Sequence, residues 1–403
     1  MRILTSRPFR TGAAALLLSI AVAVAGCGGD AGAPSGWAGT IDTLANGAVL
    51  VSNPETGLWR EGEEWRLVEE MRIGSMDVEG PELFGSIAGL VADERGRVYV
   101  ADAQAHEIRI FDTDGRHVRS FGRKGGGPGE FEQIAGMDWA PDGNLWVMDA
   151  RNSRYAVFDT AGTFITSHLR PGGHIMIPWP GGFDREGNLY DMNVISTPPG
   201  EFRRGLIRYD REMEPRDTFA LPEHEGQSFN ITDAGGRRRV SASVPFSPGQ
   251  SWTLTRAGDV WMGVSDRYRL HRVSFAGDTL QVLEKPFAPV AVSATERDEA
   301  LEGLKWFIDQ GGKVDASRIP ATKPAFGRFF TDEAGYLWVS STRAESENSG
   351  YDIFDPEGRY LGHVSSDLQI GYLRPMIRNG SMYAVVQDEM EVPYVVRLRI
   401  EGR

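Results

Sequence analysis

Arginine, lysine and tryptophan residues in the predicted loops are the side chains of this sequence best suited to bind a ligand. Guanidinium groups bind carboxylates and phosphates through paired hydrogen bonds, and aromatic rings attract cations and stack on flat groups. The ligand-binding candidates of these types are Arg123, Lys124, Arg151, Arg154, Arg203 and Trp179. Loop residues of the same types also occur at Arg204, Arg237–Arg239 and Trp306. They predict a carboxylate, phosphate or sugar ligand, unless each arginine pairs with a neighbouring acid on the surface.

Histidines add two candidates to this set. Of the seven histidines, His106, His174 and His224 fall in predicted loops, and their spacing matches no zinc motif. His106 and His174 join the ligand-binding candidates. The sequence contains no nucleophile elbow, HExxH motif or EF-hand loop, so we predict no catalytic residue and no metal ligand. We expect no cofactor, and calcium or zinc is the alternative.

Two further motifs are predicted to be structural. The glycine-rich segment FGRKGGGPGEF at 121–131 lacks the Gly-Lys-Ser/Thr end of a phosphate-binding loop, so we predict a link that needs positive φ. Asp102 and Asp149 end equivalent predicted strands. An aspartate at such a place usually caps a turn through its own backbone, and we predict that role for both.

The N-terminal segment predicts a lipid anchor. Arg2, Arg7 and Arg10 precede an apolar run from Ala13 to Ala25, which is too short to span a bilayer comfortably. The following VAGC resembles a bacterial lipobox, and Cys27 is the only cysteine, so no intramolecular disulfide can form. We expect a lipoprotein signal peptide at 1–26, lipidation of Cys27 and a flexible tether at 27–39. Gly28 stands where Asp would favour retention in the inner membrane, so the resemblance favours the outer membrane of the bacterial cell envelope.

The charge of the chain limits its partners. The formal net charge is −13, which argues against a nucleic-acid partner because such proteins present a basic face. The 49 glycines, together with aromatic and β-branched residues, suit short strands joined by tight turns.

An internal repeat predicts the fold. Residues 87–121 match residues 134–168 with a constant offset of 47, shown by the pairs Gly96 with Gly143 and Phe111 with Phe158. A period of 40 to 50 residues is typical of repeat architectures, including propellers. A turn glycine followed by an aromatic strand recurs at Gly96, Gly143, Gly187, Gly258, Gly335 and Gly380. Each unit reads as four antiparallel strands, so we predict an all-β protein, a six-bladed β-propeller.

Closure of the ring is predicted from the two ends of the repeat array. The last unit lacks its fourth strand, and residues 65–73 precede the first complete unit. We therefore expect residues 40–403 to form one propeller domain in which strand 65–73 completes the last blade. Gly47 precedes another strand-like segment, AVLVSN, so seven blades are the alternative.

Two insertions interrupt the array, at about 222–250 and 286–325. The second predicts an α-helix near 294–310, because Ser293 and Glu296 fit a capping box and Gly311 suits the C-terminal stop. Both fall in links between blades. Since loops on a rigid scaffold usually hold binding sites, we predict that this loop rim is the functional face.

The repeats resemble a known family. The units VYVADAQAHEIRIFDTDG and LWVMDARNSRYAVFDTAG are similar to NHL repeats, and the chain after Cys27 resembles bacterial six-bladed propeller lipoproteins of the NHL and TolB-like type. The resemblance implies the fold and no single activity. We therefore expect a membrane-anchored binding or scaffold lipoprotein that presents its rim to a small polar or anionic ligand or to an envelope protein. The alternative is a metal-dependent propeller enzyme, a lactonase-type hydrolase or a zinc lyase.

Overall fold

The computed structural model describes the chain from residue 36 to the C-terminus except for short gaps. The described ranges are 36–76, 80–171, 178–196, 202–222, 224, 226–232, 239–344, 347 and 349–403. Residues Trp37–Arg403 belong to one structural unit. The predicted signal peptide 1–26, Cys27 and His174 lie outside the described residues, as does most of the tether.

Strands dominate the first half of the chain. Three strands precede the first complete sheet, namely β1 (Thr40–Thr43), β2 (Val49–Ser52) and β3 (Arg66–Ile73). Blade 1 contains β4 (Ile87–Ala92), β5 (Val98–Asp102), β6 (Glu107–Phe111) and β7 (His117–Phe121). Blade 2 contains β8 (Ile134–Trp139), β9 (Leu145–Asp149), β10 (Arg154–Phe158) and β11 (Phe164–Leu169). Blade 3 contains β12 (Gly182–Phe183), β13 (Leu189–Ser196), β14 (Phe202–Tyr209) and β15 (Pro215–Ala220).

The second half adds three blades and the two insertions. A hairpin of β16 (Ser228–Thr232) and β17 (Arg239–Ser243) precedes blade 4, which contains β18 (Gln250–Leu254), β19 (Val260–Val264), β20 (Arg269–Val273) and β21 (Thr279–Glu284). The next elements are α1 (Ala294–Glu302), α2 (Lys305–Asp309) and a 3₁₀ turn (Ala316–Arg318). Blade 5 contains β22 (Phe326–Thr331), β23 (Leu337–Ser341), β24 (Gly350–Phe354) and β25 (Tyr360–Ser365). Blade 6 contains β26 (Met376–Arg378), β27 (Ser381–Gln387), β28 (Pro393–Glu401) and β3.

Aspartates at strand ends determine where the hairpins reverse. In blade 1, Asp93 Oδ1 accepts hydrogen bonds from the Arg95 and Arg97 N–H groups, both at 2.9 Å. Gly96 in this turn has a φ of +79°, which glycine adopts without a steric penalty. The same bonds recur at Asp112, Asp159, Asp184, Asp210, Asp332 and Asp388. This turn chemistry explains the repeated Asp-x-x-Gly pattern of the sequence.

Packing between neighbouring blades closes the ring. Six apolar clusters each join two adjacent blades, including the pair of blades 6 and 1. Between blades 1 and 2, for example, the Tyr99 and Trp139 rings meet edge to face with their centroids 5.0 Å apart. The aromatic residues that follow the six turn glycines are all buried, namely Tyr99, Trp146, Tyr190, Trp261, Trp338 and Tyr383. The predicted six-bladed propeller is therefore confirmed.

The last blade takes its outermost strand from the N-terminal region. Strand β3 pairs antiparallel with β28, from Ile73 opposite Val395 to Arg66 opposite Glu401. Its buried residues Met71 and Ile73 belong to the cluster between blades 6 and 1. The two ends of the propeller thus share one sheet, and no inner strand is left unpaired at the seam.

The alternative of seven blades is wrong. Gly47 lies in the turn of the short β1–β2 hairpin, and β2 pairs parallel with β21 from Val49 opposite Gln281 to Ser52 opposite Glu284. The hairpin therefore extends blade 4 at its outer edge. Two four-residue strands, of which β1 is fully exposed, are too short and too polar to form a blade of their own.

Residues between β2 and β3 fasten the outer edge of blade 5. The Asn53 side chain donates to the Gly358 carbonyl at 3.0 Å and accepts from the Tyr360 N–H at 2.6 Å. The Trp59 N–H donates to the Leu361 carbonyl at 2.8 Å. The segment from β1 to β3 therefore runs along the outer edges of blades 4, 5 and 6 before blade 1 begins.

The two insertions pack on each other. Phe229 and Ala242 of the β16–β17 hairpin share a small apolar core with Leu304, Phe307 and Ile319 of the second insertion. We call these parts together the insert module (228–246 and 286–325). The predicted helix is present as α1 followed by α2, and α1 begins with the predicted capping box, in which Ser293 and Glu296 exchange two hydrogen bonds of 3.0 Å.

Candidate functional site

The innermost strands of all six blades surround a central channel of about 900 Å³. Its wall contains residues of β4, β8, β12, β18, β22 and β26 and of the segments that lead into them. We call the end where these strands finish the turn end, and the end where they begin the link end. A cavity of this size can enclose a small organic molecule.

Ion pairs and hydrogen bonds cross the channel at its turn end. Arg256, directly after β18, donates from Nη1 and Nη2 to the two oxygens of Asp138 in β8, both at 2.9 Å. Arg185 of blade 3 donates to the Glu333 carbonyl of blade 5 at 2.6 Å. Each bond joins two blades that are not neighbours in the ring, so each must pass across the channel. These contacts narrow the channel at its turn end.

The Asp138–Arg256 pair is a bidentate ion pair between two blades. Burial alone would raise the pKa of Asp138, but the Arg256 guanidinium and the Phe183 N–H hold this pKa below its ordinary value. The Asp138 charge in turn raises the pKa of Arg256. Because Phe183 belongs to blade 3, the pair stabilises the relative positions of blades 2, 3 and 4.

The channel wall contains more arginines than its carboxylates can pair with. Each carboxylate in the wall has its own arginine, in the pairs Asp138–Arg256, Asp332–Arg403 and Glu333–Arg378. Three further wall residues form no ion pair with a carboxylate among the residues that the structure describes, namely Arg204, Arg328 and Arg374. The part of the channel between the turn end and the link end is therefore positively charged, although the protein as a whole is acidic.

Arg374 reaches furthest across the channel. It precedes β26 in blade 6, and its Nη1 donates to the Thr253 hydroxyl of blade 4 at 3.3 Å. The side chain meets the water of the channel, although the ring surrounds it on every side. Burial lowers the pKa of Arg374, the Asp138 charge opposes this shift, and Arg256 reinforces it. The lowered pKa thus reflects the enclosure of Arg374 by the ring and the nearby Arg256 charge.

The link between blades 5 and 6 holds Arg374 in place. The Gly371 N–H donates to the Val385 carbonyl at 2.8 Å, and the Tyr372 hydroxyl donates to the Ile87 carbonyl of blade 1 at 2.6 Å. Arg328 of blade 5 donates to the Tyr372 carbonyl. Contacts with three blades therefore fix the backbone just before Arg374.

Four of the sequence-predicted ligand residues lie together on the rim between blades 1 and 2, where they hold the glycine-rich link. Arg123 pairs with Glu130 at 2.7 Å, and Arg154 donates to the Gly126, Gly127 and Glu130 carbonyls. Lys124 forms a backbone bridge with Phe131 in the same link. Arg151 is exposed in the β9–β10 loop. The ligand contacts predicted for these residues stay predictions.

The other predicted residues are spread over the ring. His106 lies in the β5–β6 loop with a φ of +57°, and its carbonyl lies beside Gly122 of the glycine-rich link. Arg203 lies in β14 of blade 3, opposite Ile195. Trp179 is a channel residue, buried against Tyr155 and Phe183. The structure therefore brings Trp179 into the channel but not the rim arginines.

Asp102 caps its own turn as predicted, whereas the hydrogen bonds described for Asp149 come from the incoming link and from the Asn152 side chain. Asp102 accepts hydrogen bonds from the Gly85 and Ser86 N–H groups, and from Gln104 two residues further along. Asp149 accepts from the Glu132 and Gln133 N–H groups in the equivalent place. Both carboxylates thereby bind the incoming link of their own blade.

Sequence reasoning missed Arg256, Arg328 and Arg374, and named Arg204 only as a rim residue. The sequence does contain a signal for the Asp138–Arg256 pair. Asp138 lies near the end of one innermost strand, and Arg256 follows the end of another. Opposite charges at equivalent places in two repeats suggest a contact across the ring. Arg374 lies in a link with no repeat equivalent, so its direction could not be read from the pattern.

The described residues contain neither a metal-binding cluster nor a membrane-spanning helix. No group of three or more His, Cys, Asp or Glu side chains in the described ranges is arranged to hold a metal ion. Likewise, none of the helices in that part of the chain is long and apolar enough to cross a membrane.

Comparison with known proteins supports the fold. A family described as "6-bladed beta-propeller" matches residues 82–168, which contain blades 1 and 2. The sequence has no match among curated proteins. A candidate exported protein from Bacteroides fragilis has a similar structure, with a TM-score of 0.50 at 12% identity over 87% of this chain and 99% of its own.

Two enzymes of known structure show weaker similarity. A virginiamycin B lyase from Staphylococcus aureus has a TM-score of 0.44 at 10% identity, covering 83% of this chain and 99% of its own. A gluconolactonase from Xanthomonas campestris has a TM-score of 0.41 at 12% identity, covering 79% of this chain and 87% of its own. At such identities the likeness concerns the propeller fold alone, and TM-scores below 0.5 carry no functional weight.

The Asp138–Arg256 pair gives a stability prediction. Asp138→Asn should lower the free energy of unfolding by about 2 kcal/mol, less than the roughly 3–5 kcal/mol of a fully buried pair, because Arg256 keeps some exposure. Since the folded-state pKa of Asp138 lies below the unfolded value, its stabilisation is complete above about pH 4 and disappears as the pH falls further. Urea unfolding at several pH values measures both effects.

The control for this prediction is Asp114→Asn, which breaks an exposed pair with Arg116 and should cost less than about 0.5 kcal/mol. The double variant Asp138→Asn, Arg256→Gln should be more stable than the sum of the single losses implies. Equal losses for Asp138→Asn and Asp114→Asn would show that the channel pair does not stabilise the ring.

Proposed function

We propose that this protein is a lipid-anchored propeller of the bacterial cell envelope that binds an anionic ligand in its central channel. The observation that carries the proposal is the presence of Arg204, Arg328 and Arg374 in the channel wall without a carboxylate partner among the described residues. In this account Arg374 provides the main anion contact, and Arg328 and Arg204 lie on the path from the link end.

Physical chemistry favours an anion at this place. Arginine is charged at any physiological pH, so the three side chains keep their charge even where the ring removes much of their hydration. A carboxylate or phosphate would accept hydrogen bonds in which both partners are charged, and these are stronger than the bonds to a neutral hydroxyl and carbonyl that Arg374 and Arg328 now make. The walls of the channel concentrate the field of these charges on whatever enters.

The same charges disfavour the alternative of a metal-dependent hydrolase or lyase. A catalytic metal ion needs several carboxylate or imidazole ligands that converge on one point. The channel carboxylates are instead engaged by Arg256, Arg403 and Arg378. Unpaired arginines would also repel a cation. No observation favours the enzyme over the binding protein.

The membrane part of the proposal rests on the sequence around Cys27. The order of positive residues, apolar run and VAGC is the one that a lipoprotein signal peptide requires. Strand β1 begins at Thr40, 13 residues after Cys27. A fully extended chain of this length reaches roughly 45 Å. The propeller would therefore stay close to the bilayer. The structural likeness to a candidate exported protein agrees with this location.

The anion site is tested by Arg374→Gln. Inorganic phosphate or citrate should raise the melting temperature of the wild-type protein at low ionic strength, and the variant should lose at least about tenfold in apparent affinity. Without added anion the variant should melt close to wild type, because Arg374 forms no ion pair with a carboxylate among the described residues. Thermal melts across an anion titration measure both.

Arg123→Gln is the matched control, since it removes an exposed rim arginine outside the channel. Its response to phosphate and citrate should equal that of wild type. An equal loss in both variants would place anion binding on the general surface, and the absence of any anion effect on wild type would contradict the proposal.

Lipid anchoring is tested by Cys27→Ser. The variant should leave the membrane fraction and lose incorporation of labelled fatty acid, because no other cysteine can be acylated. Gly28→Asp keeps the cysteine and serves as the control, which should remain membrane-bound. Membrane retention and labelling of Cys27→Ser would exclude the anchor.

A further inference from the structure

We infer that the channel ligand is an amphipathic acid, in which one carboxylate binds Arg374 and an apolar, ring-sized body packs against the channel wall towards the link end. This inference rests on the proposed function, because it specifies the class of anion that the same site takes. It adds a requirement for the body of the ligand that the charges alone do not impose.

The depth of the channel fixes the direction of the ligand. The turn end is crossed by the Asp138–Arg256 pair and by the Arg185–Glu333 hydrogen bond, so a ligand cannot pass beyond them. Arg374 lies close to this barrier, since its Nη1 donates to the hydroxyl of Thr253, three residues before Arg256. The anionic group must therefore enter first, and the rest of the ligand must lie between Arg374 and the link end.

Aromatic rings contribute to the channel wall. Trp179 precedes β12, Trp252 lies in β18, and Tyr372 lies in the link before β26, so these rings come from blades 3 and 4 and from the segment between blades 5 and 6. Trp252 is half-buried, and Tyr372 has an exposed fraction of 48%. Met137, Phe329 and Leu373 fill the wall between them. Such surfaces stabilise a flat apolar group more than they stabilise water.

The volume of the channel favours an amphipathic acid over a bare anion as its ligand. The channel holds about 900 Å³, whereas a water molecule takes a share of about 30 Å³, and phosphate or acetate is only a few times larger. A small anion at Arg374 would leave nearly all of the aromatic wall in contact with water. A ligand with a one-ring or two-ring body would displace this water, and binding sites of this size commonly enclose most of such a molecule.

Thr253 and Arg328 would orient the ligand in the channel, and neither requires a second negative charge on it. Arg374 already contacts the Thr253 hydroxyl, so a carboxylate at Arg374 would lie within reach of a second donor. Arg328 is held by the Tyr372 carbonyl nearer the link end. It would meet the body of the ligand and can stack on a ring face through its guanidinium plane.

Affinity measurements with a series of simple acids test this inference. The probes are acetate, benzoate, 2-naphthoate, inorganic phosphate and the uncharged 2-naphthamide, titrated into the full-length protein in detergent by calorimetry and tryptophan fluorescence. We expect 2-naphthoate to bind at least about 30-fold more tightly than acetate, because it buries about two rings of apolar surface. We also expect 2-naphthamide to bind at least about tenfold more weakly than 2-naphthoate.

Variants at three positions assign these effects to residues. Arg374→Gln should remove the preference for 2-naphthoate over 2-naphthamide, and Trp252→Leu should weaken 2-naphthoate at least about fivefold while leaving acetate unchanged. Arg123→Gln should bind all probes as wild type does. Thermal melts of each variant in the absence of probe establish that it is folded, and Trp252→Phe supports the assignment if it restores 2-naphthoate binding.

The outcomes separate this inference from the proposed function. Equal affinities for acetate, phosphate and 2-naphthoate, all lost in Arg374→Gln, would overturn the amphipathic ligand and leave an anion site in place. Binding of 2-naphthamide as tight as that of 2-naphthoate would also overturn it, because the carboxylate would then be irrelevant. Failure of every anion to bind wild type would contradict the proposed function itself.

Discussion

The antiparallel pairing of β3 with β28 is the contact on which the rest of the molecule depends. A four-stranded sheet with two apolar faces is stable only if a neighbour covers each face, and in a ring every blade supplies a face to the next. Joining the first part of the chain to its last strand makes the blade 6 to blade 1 contact as continuous as the others. The central channel exists only because this ring is closed.

Closure also explains how residues far apart in sequence form one site. Asp138 and Arg256 are 118 residues apart, and Thr253 and Arg374 are 121 residues apart, yet each pair makes hydrogen bonds across the channel. Each residue lies on or directly beside an innermost strand, whose position the interblade clusters determine. A rigid ring can therefore hold like charges close together at Arg374, where a flexible loop would let them separate.

Much of this architecture could be predicted from the sequence, because it follows from local patterns that repeat. The aromatic strand after each turn glycine predicted six blades, and the capping box at Ser293 predicted the start of α1. Gly47 was ambiguous, since a short strand after a turn glycine looks the same in a blade and in an edge hairpin. Only the pairing of β2 with β21 decides between them.

The channel was harder to predict, because a charge pattern does not say where side chains converge. Arg123 and Arg154 attracted notice as loop arginines, yet their contacts are with Glu130 and the carbonyls of the glycine-rich link. Arg374 stands in an unremarkable stretch, YLRPM, and only the closed ring turns it towards Thr253. Paired and unpaired arginines differ in their neighbours, and those neighbours come from other blades.

The most direct measurement of the central claim is anomalous diffraction from crystals of the protein soaked in bromide. Bromide reports where an anion is stabilised, independently of any idea about the natural ligand. The account predicts a bromide peak inside the channel, in contact with the Arg374 guanidinium and absent in Arg374→Gln crystals. Bromide bound only at rim arginines such as Arg123, with water alone beside Arg374, would contradict it.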